Sequence, residues 1–267
     1  MTHIEAVIFD WAGTLVDFGS RAPMGAFVEA FARFDVAITL DEARGPMGRA
    51  KRDHIAAIFA LPRVSAAWLA AQKSLPDDRA IDAIYEVFLP LNIETAARHA
   101  DIIPGADAVL RGLRAEGVKI GSTTGYIREI MERVLPAAGL QGVETDVLFC
   151  SDELSAGRPS AAGMFRNYVA LGTTAAHLCV KVDDTPVGIE EGRNGGAWAV
   201  GLTLSGNETG LSRQELAALS EEERAAARFA AAEKLRAAGA HYTIDSVADL
   251  PAVLADIDHR IAAGDRP

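Results

Sequence analysis

The sequence predicts an α/β protein: a parallel sheet core with an all-helical lobe inserted after its first strand. Three observations carry that prediction. Ala6 to Phe9 is a short apolar run, long enough for one buried strand and too short for a helix. Between Phe18 and Ala100 no segment has the pattern of a strand, and apolar residues recur at helical spacing instead. From Ile102 onward helical and strand patterns alternate, as a parallel sheet demands.

The first strand runs straight into Asp10, and Gly13-Thr14 then forces a turn. A carboxylate at the C-terminal end of a buried first strand sits where open α/β sheets place their chemistry. Taken alone, such an Asp serves equally well as a helix N-cap or a turn residue. The helical lobe follows. Phe27, Phe31 and Phe34 lie on one face, and Thr39-Leu40-Asp41-Glu42 is a capping box that Gly45-Pro46 soon ends. Ile55, Ile58 and Phe59 stripe the next helix, closed by Leu61-Pro62. Trp68 and Leu69 mark another, and Ile81, Ile84, Tyr85 and Phe88 a longer one after Pro76-Asp77-Asp78.

In the second part, Ala106 to Glu116 reads as a helix stopped by Gly117, and Val118 to Ser122 as a strand. A helix over Ile127 to Leu140 precedes a strand at Val147 to Cys150. Met164, Phe165 and Tyr168 are placed on one side of the following helix. Leu178 to Val182 is a strand ending in Asp183-Asp184, and Ala197 to Leu202 and His241 to Ile244 are two more. Ser212-Arg213-Gln214-Glu215 and Ser220-Glu221-Glu222-Glu223 open helices as capping boxes. The expected division is a Rossmann-like core over residues 1–18 and 100–267 and a helical cap over 19–99.

Composition narrows the function. With 37 acidic against 26 basic side chains the net charge is −11, which argues against nucleic acid or an anionic membrane surface as partner. An anionic substrate then needs a local cationic pocket or a metal ion. Cys150 and Cys179 fall in apolar strands and read as buried thiols in a reducing compartment. No apolar run approaches the ~18 residues of a membrane span, and the chain starts directly into its first strand, so the expectation is a cytoplasmic protein.

Three further strand ends carry polar residues suited to a phosphoryl site. Thr124-Gly125 can hold phosphate oxygens with a hydroxyl and backbone N–H groups, or can be a simple turn. Arg158, in Gly157-Arg158-Pro159, offers a guanidinium fork, or is a surface residue. Asp183-Asp184 repel each other unless a cation sits beside them, and Mg²⁺ with its few protein oxygen ligands fits Asp10 and Asp184 together.

The order Asp10, Thr124, Arg158, Asp183-Asp184 resembles the four motifs of the haloacid dehalogenase-like superfamily. There the Asp matching Asp10 is a nucleophile, and the position matching Ala12 is usually a second, acidic Asp. Asp10-Trp11-Ala12-Gly13-Thr14, the cap segment Ala43 to His54, Gly121 to Tyr126, Val182-Asp183-Asp184-Thr185 and Glu191-Gly192-Arg193 together resemble the phosphonoacetaldehyde hydrolase (phosphonatase) family over nearly the full length. The resemblance implies a small phosphonate substrate. It implies that Lys51 forms an imine with the substrate aldehyde and that Asp10 attacks phosphorus. Mg²⁺ would be held by Asp10, the backbone oxygen of Ala12 and Asp184. Asp183 would stand in for an acidic residue missing at Gly188. Met47, His54, Thr124, Gly125 and Arg158 would surround the substrate, and the chain would form homodimers through the cap. His54 lies three residues after Lys51 on the same helix face; it binds or shuttles a proton there, or is a surface residue.

The chemistry accounts for Ala12. A phosphate ester leaves as an alkoxide that needs a proton, so an acid beside the nucleophile is useful. A phosphonate leaves as carbon, and a protonated imine next to that carbon provides the electron sink. A dehalogenase or phosphatase with an Asp nucleophile is the alternative expectation, and neither requires Lys51. A phosphate-binding regulatory protein without catalysis is a third, against which the retained Asp10 counts.

Overall fold

The computed structural model describes residues 3–267; Met1 and Thr2, at the start of the expected core segment, lie outside the described residues. Six strands, β1 (Ala6–Phe9), β2 (Lys119–Thr123), β3 (Val147–Phe149), β4 (Cys179–Asp183), β5 (Trp198–Leu202) and β6 (Tyr242–Ile244), form one parallel sheet in the order β3-β2-β1-β4-β5-β6. The chain moves outward from β1 to β2 and β3, then returns to β4 on the other side of β1. Connections therefore leave β1 and β4 in opposite directions, and a crevice opens at their C-terminal ends. Phe9 pairs with Val182, so Asp10 and Asp183 emerge side by side into that crevice.

The inner strands β1, β4 and β5 are buried on both faces, and the edge strands β3 and β6 are half-buried. Val7, Phe9, Val180 and Val182 face one cluster with Leu110, Ile130 and Val134, while Ala6 and Ile8 face Met164 and Leu171 on the other side. The period-two alternation of β4 thus puts Lys181 and Asp183 on the Ile8 side. No single helix among the described residues is long and apolar enough to cross a membrane; only the bent pair Lys51–Phe59 and Pro62–Gln72 reaches that length and composition together.

Between β1 and β2 lie α1 (Ala22–Ala32), α2 (Leu40–Arg44), α3 (Lys51–Phe59), α4 (Pro62–Gln72), α5 (Asp78–Arg98) and α6 (Ala106–Ala115). The side chain of Asp17 accepts the amides of Arg21 and Ala22, at 3.0 and 2.9 Å, and so ties the turn after β1 to the start of α1. The capping box at Thr39 is present, and Asp77 caps α5 through Ala80 N. Helices α1 to α5 share an apolar cluster of their own, centred on Phe27, Phe31, Ile55, Ile58 and Phe88. Phe27 and Phe88 stack with ring centroids 4.1 Å apart. The far half of α5 instead places Leu89, Ile93 and Ala96 against the sheet-side cluster, so α5 spans both.

The rest of the core holds α7 (Arg128–Gly139), α8 (Ala162–Leu171), α9 (Pro186–Asn194), α10 (Arg213–Ala218), α11 (Glu221–Ala237) and α12 (Leu250–Ala262). Capping boxes open α10 at Ser212 and α11 at Ser220. Some sequence expectations shift. Phe165 is 54% exposed: Met164 and Tyr168, four apart, turn toward the sheet, and Phe165 lies a third of a turn away. Phe34 falls beyond the end of α1 and packs on Trp68, and Leu69 faces outward. β2 starts one residue late because the amide of Val118 bonds to Leu113 O at the end of α6.

The aromatic stack makes the cap cluster testable by itself. Phe88→Ala should lower stability by about 3–5 kcal/mol, through lost burial and an unfilled cavity. Urea unfolding followed by circular dichroism measures this, and an unchanged midpoint would mean that Phe88 is not a keystone of the cluster.

Candidate active site

Three carboxylates converge at the crevice. Asp10, Asp183 and Asp184 are all buried, and each offers an oxygen within 4.8 Å of the others. Asp10 follows β1 and its amide bonds to Val182 O at 3.0 Å. Asp183 ends β4; its Oδ1 accepts from the amide and hydroxyl of Thr185, the N-cap of α9, at 3.0 and 2.8 Å. Asp184 accepts from Asn207 N at 2.7 Å and from the Thr14 hydroxyl at 3.4 Å. A Cβ on Gly188 would come within 2.0 Å of the Asp183 carboxylate, so the carboxylate fills the space beside that glycine.

Burial and mutual repulsion act on this cluster together. Burial, with Asp183 beside it, raises Asp10 to about 6 against the opposing pull of Arg158 and Lys181. Burial followed by Asp10 and Asp183 holds Asp184 well above the usual carboxylate range. Burial opposes ionisation of Asp183 too, but Arg158 and Lys181 outweigh it and keep that carboxyl below its ordinary value. Arg158 and Lys181 pair with Asp10, Asp183 and Glu191, and Asp184 beside them has no cation of its own among the described residues, so the buried cluster holds more carboxylates than cations. Hard oxygen donors carrying that excess fit a divalent cation such as Mg²⁺.

The cap closes over this floor. A small cavity of about 20 Å³ is lined by Asp10, Ala12, Ser20, Pro23, Met47, Gly48, Lys51, Thr124, Gly125, Tyr126 and Thr185. Ala12, Met47, Lys51, Thr124 and Gly125 are thus brought together with Asp10. Lys51 starts α3, is 3% exposed, and makes no ion pair among the described residues. Its Nζ lies 3.9 Å from Met47 Sδ and 4.9 Å from the centroid of the Tyr126 ring. Burial, with Arg158 assisting and Asp10 opposing, lowers the Lys51 ammonium to about 8. The molecule's larger cleft, about 730 Å³ between α6 and α12, opens at the other end of the strands and holds none of these groups.

Two expected site residues are not on the cavity lining. His54 is neither on the surface nor at the cavity: it is fully buried, its Nε2 is 2.7 Å from Ala43 O, and its ring lies on Phe27. Three residues along α3 turn it from the cavity into the cap's apolar cluster, where burial keeps the imidazole far below its ordinary pKa. Arg158 is buried behind Asp10, and its fork holds protein groups. Nη1 donates to Asp10 Oδ1 at 2.8 Å, and Nη2 donates to Thr123 O at 2.8 Å. Sequence reasoning assigned no role to Lys181, Glu191, Thr123, Tyr126 or Ser20. A Lys between Val180 and Val182, in phase with Asp183, was the available signal for Lys181. Ser20, with a buried hydroxyl lacking a partner among the described residues, left none.

Residues 4–196 match the haloacid dehalogenase-like hydrolase family. The chain is similar to a phosphonoacetaldehyde hydrolase of Paraburkholderia xenovorans strain LB400, 54% identical with 100% of both chains covered. It is also similar to one of Bordetella avium strain 197N, 52% identical over 99% of this chain and 95% of the other. A solved phosphonoacetaldehyde hydrolase-like protein from Oleispira antarctica superposes with a TM-score of 0.97 at 40% identity, covering 99% of this chain and 96% of that one.

The contact at Gly188 yields a paired test. Gly188→Ala drives a methyl into Asp183 and should destabilise the fold by about 1–3 kcal/mol. Gly25→Ala, in open space on α1, should be neutral or stabilise by up to about 1 kcal/mol. Thermal unfolding of both variants decides, and equal shifts would contradict the close approach.

Proposed function

This chain belongs to the haloacid dehalogenase-like hydrolases and, within them, to the phosphonoacetaldehyde hydrolase family; from that premise we propose that it cleaves the P–C bond of phosphonoacetaldehyde to acetaldehyde and phosphate. One observation carries the reading: the buried Lys51 amine, with no ion-pair partner among the described residues, lines the same small cavity as the buried Asp10 carboxylate at the end of β1. An ordinary phosphatase has no use for that amine.

In this mechanism the free amine of Lys51 adds to the aldehyde and, with one proton taken up from solvent, water leaves to give a protonated imine. A carboxylate oxygen of Asp10 attacks phosphorus, and the P–C electron pair moves into the imine, so carbon departs as an enamine on Lys51. Protonation of the enamine carbon restores an imine; water then releases acetaldehyde from Lys51 and phosphate from Asp10. Arg158 holds the Asp10 carboxylate, while Thr124 and Gly125 are placed to receive phosphonate oxygens and Met47 and Tyr126 pack beside the amine. Asp10, the Ala12 carbonyl and Asp184 would hold Mg²⁺, which would supply positive charge against the charged phosphonate. Asp183, engaged by Thr185, Lys181 and Arg158, is placed as support behind those ligands.

The small size of the cavity, about 20 Å³, supports a cap that opens for substrate and closes again, which keeps bulk water from the imine. The same reading includes a homodimer through the cap, as the resemblance to the phosphonoacetaldehyde hydrolase family implies. It also places the protein in the cytoplasm, where the buried free thiols Cys150 and Cys179 stay reduced.

The test is direct. With Mg²⁺, the protein should release phosphate and acetaldehyde from phosphonoacetaldehyde in equal amounts. Asp10→Asn should lower turnover by more than about 10³-fold. Asp184→Asn should raise the Mg²⁺ concentration for half activity by at least about tenfold. Absence of P–C cleavage by the unaltered protein would overturn the reading; wild-type turnover in Asp10→Asn would remove Asp10 from it.

A further inference from the structure

Arg158 can meet Asp10 in one orientation only if something behind it fixes the guanidinium. Nη2 donates to Thr123 Oγ1 at 2.7 Å, besides its bond to Thr123 O, and Nε lies 2.9 Å from Glu191 Oε2. Lys181 brings its Nζ to the same point, 2.7 Å from Thr123 Oγ1, 2.9 Å from Glu191 Oε2 and 3.2 Å from Asp183 Oδ2. The Thr123 hydroxyl donates its proton to Glu191 Oε2 at 2.8 Å, so its lone pairs are left for Arg158 and Lys181.

None of these three side chains lines the cavity that holds Asp10 and Lys51. Lys181 and Glu191 are both fully buried, and an ion pair in that position stabilises a fold no better than a well-packed apolar pair. Stability alone therefore does not account for them. The neighbourhood is shaped around them as well: a Cβ on Gly163 of α8 would stand 2.7 Å from Glu191 Oε1. Without Glu191, the two cations would repel each other across a dry space, and Arg158 would lose the contact that keeps Nη1 toward Asp10.

We propose that Thr123, Lys181 and Glu191 are positioning residues that aim Arg158 at Asp10 and so fix the carboxylate for attack on phosphorus. The inference rests on the assignment of Asp10 as nucleophile. It separates the two halves of the reaction, because the layer touches Asp10 through Arg158 and does not touch Lys51.

Three variants test it with two readouts. Thr123→Val removes the hydroxyl, Thr123→Ser restores it, and Lys181→Met with Glu191→Gln removes both charges together so that no lone charge is left buried. Turnover of phosphonoacetaldehyde reports phosphoryl transfer. Acetaldehyde with borohydride, which has no phosphorus, reports imine formation at Lys51 alone. The double variant should lose kcat by about 10²-fold and Thr123→Val by about tenfold, with KM nearly unchanged. Thr123→Ser should recover most of that rate, and borohydride labelling of Lys51 should match wild type throughout. If the double variant does not fold, the Thr123 pair decides. Wild-type kcat in Thr123→Val and in any folded double variant would overturn this inference alone, as would a fall in labelling parallel to the fall in kcat. An unaltered protein that labels at Lys51 but cleaves no P–C bond would overturn the functional reading and this inference with it.

Discussion

The ion pair between Arg158 and Asp10 is the constraint on which the rest of the site depends. Asp10 leaves β1 into a crevice already holding Asp183 and Asp184, beside strands that also bury Thr123 and Lys181. Four buried carboxylates cannot share that volume with full charge unless cations are built in beside them. Arg158 arrives from the loop before α8, Lys181 from within β4 and Glu191 from α9. The result is a network in which burial pushes Asp10 up to about 6, opposed by its two cationic neighbours. The sheet order makes this possible. Only where β1 and β4 lie side by side do three acidic positions from two distant parts of the chain meet.

The cap holds the opposite case. Lys51 is also buried, but it rests on a sulfur and an aromatic face and has no carboxylate partner within ion-pair distance among the described residues. Desolvation then moves the amine toward its neutral form, which is the form that adds to a carbonyl. The two lobes divide the chemistry between them. The core brings the Asp10 carboxylate and an acidic cluster suited to a divalent ion, and the cap brings the Lys51 amine to the same cavity. In the proposed reaction Ala12 follows from that division, since a leaving carbon stabilised as an enamine needs no acid beside Asp10.

Much of this could be read from residue order because it depends on local rules. A strand is recognisable from four apolar residues, its end from a polar one, and a helix start from Thr39 and Glu42, Ser212 and Glu215, or Ser220 and Glu223. What escaped depends on tertiary partners. His54 looked available because it shares a helix face with Lys51; its position was decided by Phe27, which belongs to another helix. Arg158 looked like a substrate fork, and Glu191 and Thr123 engage that fork first. Lys181 was hidden in an apolar strand, although its phase with Asp183 pointed to the same face. Phe165 differs from Met164 by one residue, enough to turn it from the sheet to solvent.

The central claim is that burial under the cap makes Lys51 an imine-forming amine near neutral pH. The measurement is the extent of ethyl labelling at Lys51 by acetaldehyde and borohydride, read by mass spectrometry over a range of pH. Because the amine is reactive only when deprotonated, labelling should rise with pH through a midpoint near the lowered value of about 8 and should concentrate on Lys51. A midpoint near the ordinary 10.5, or label spread evenly over the protein's other lysines, would contradict the account.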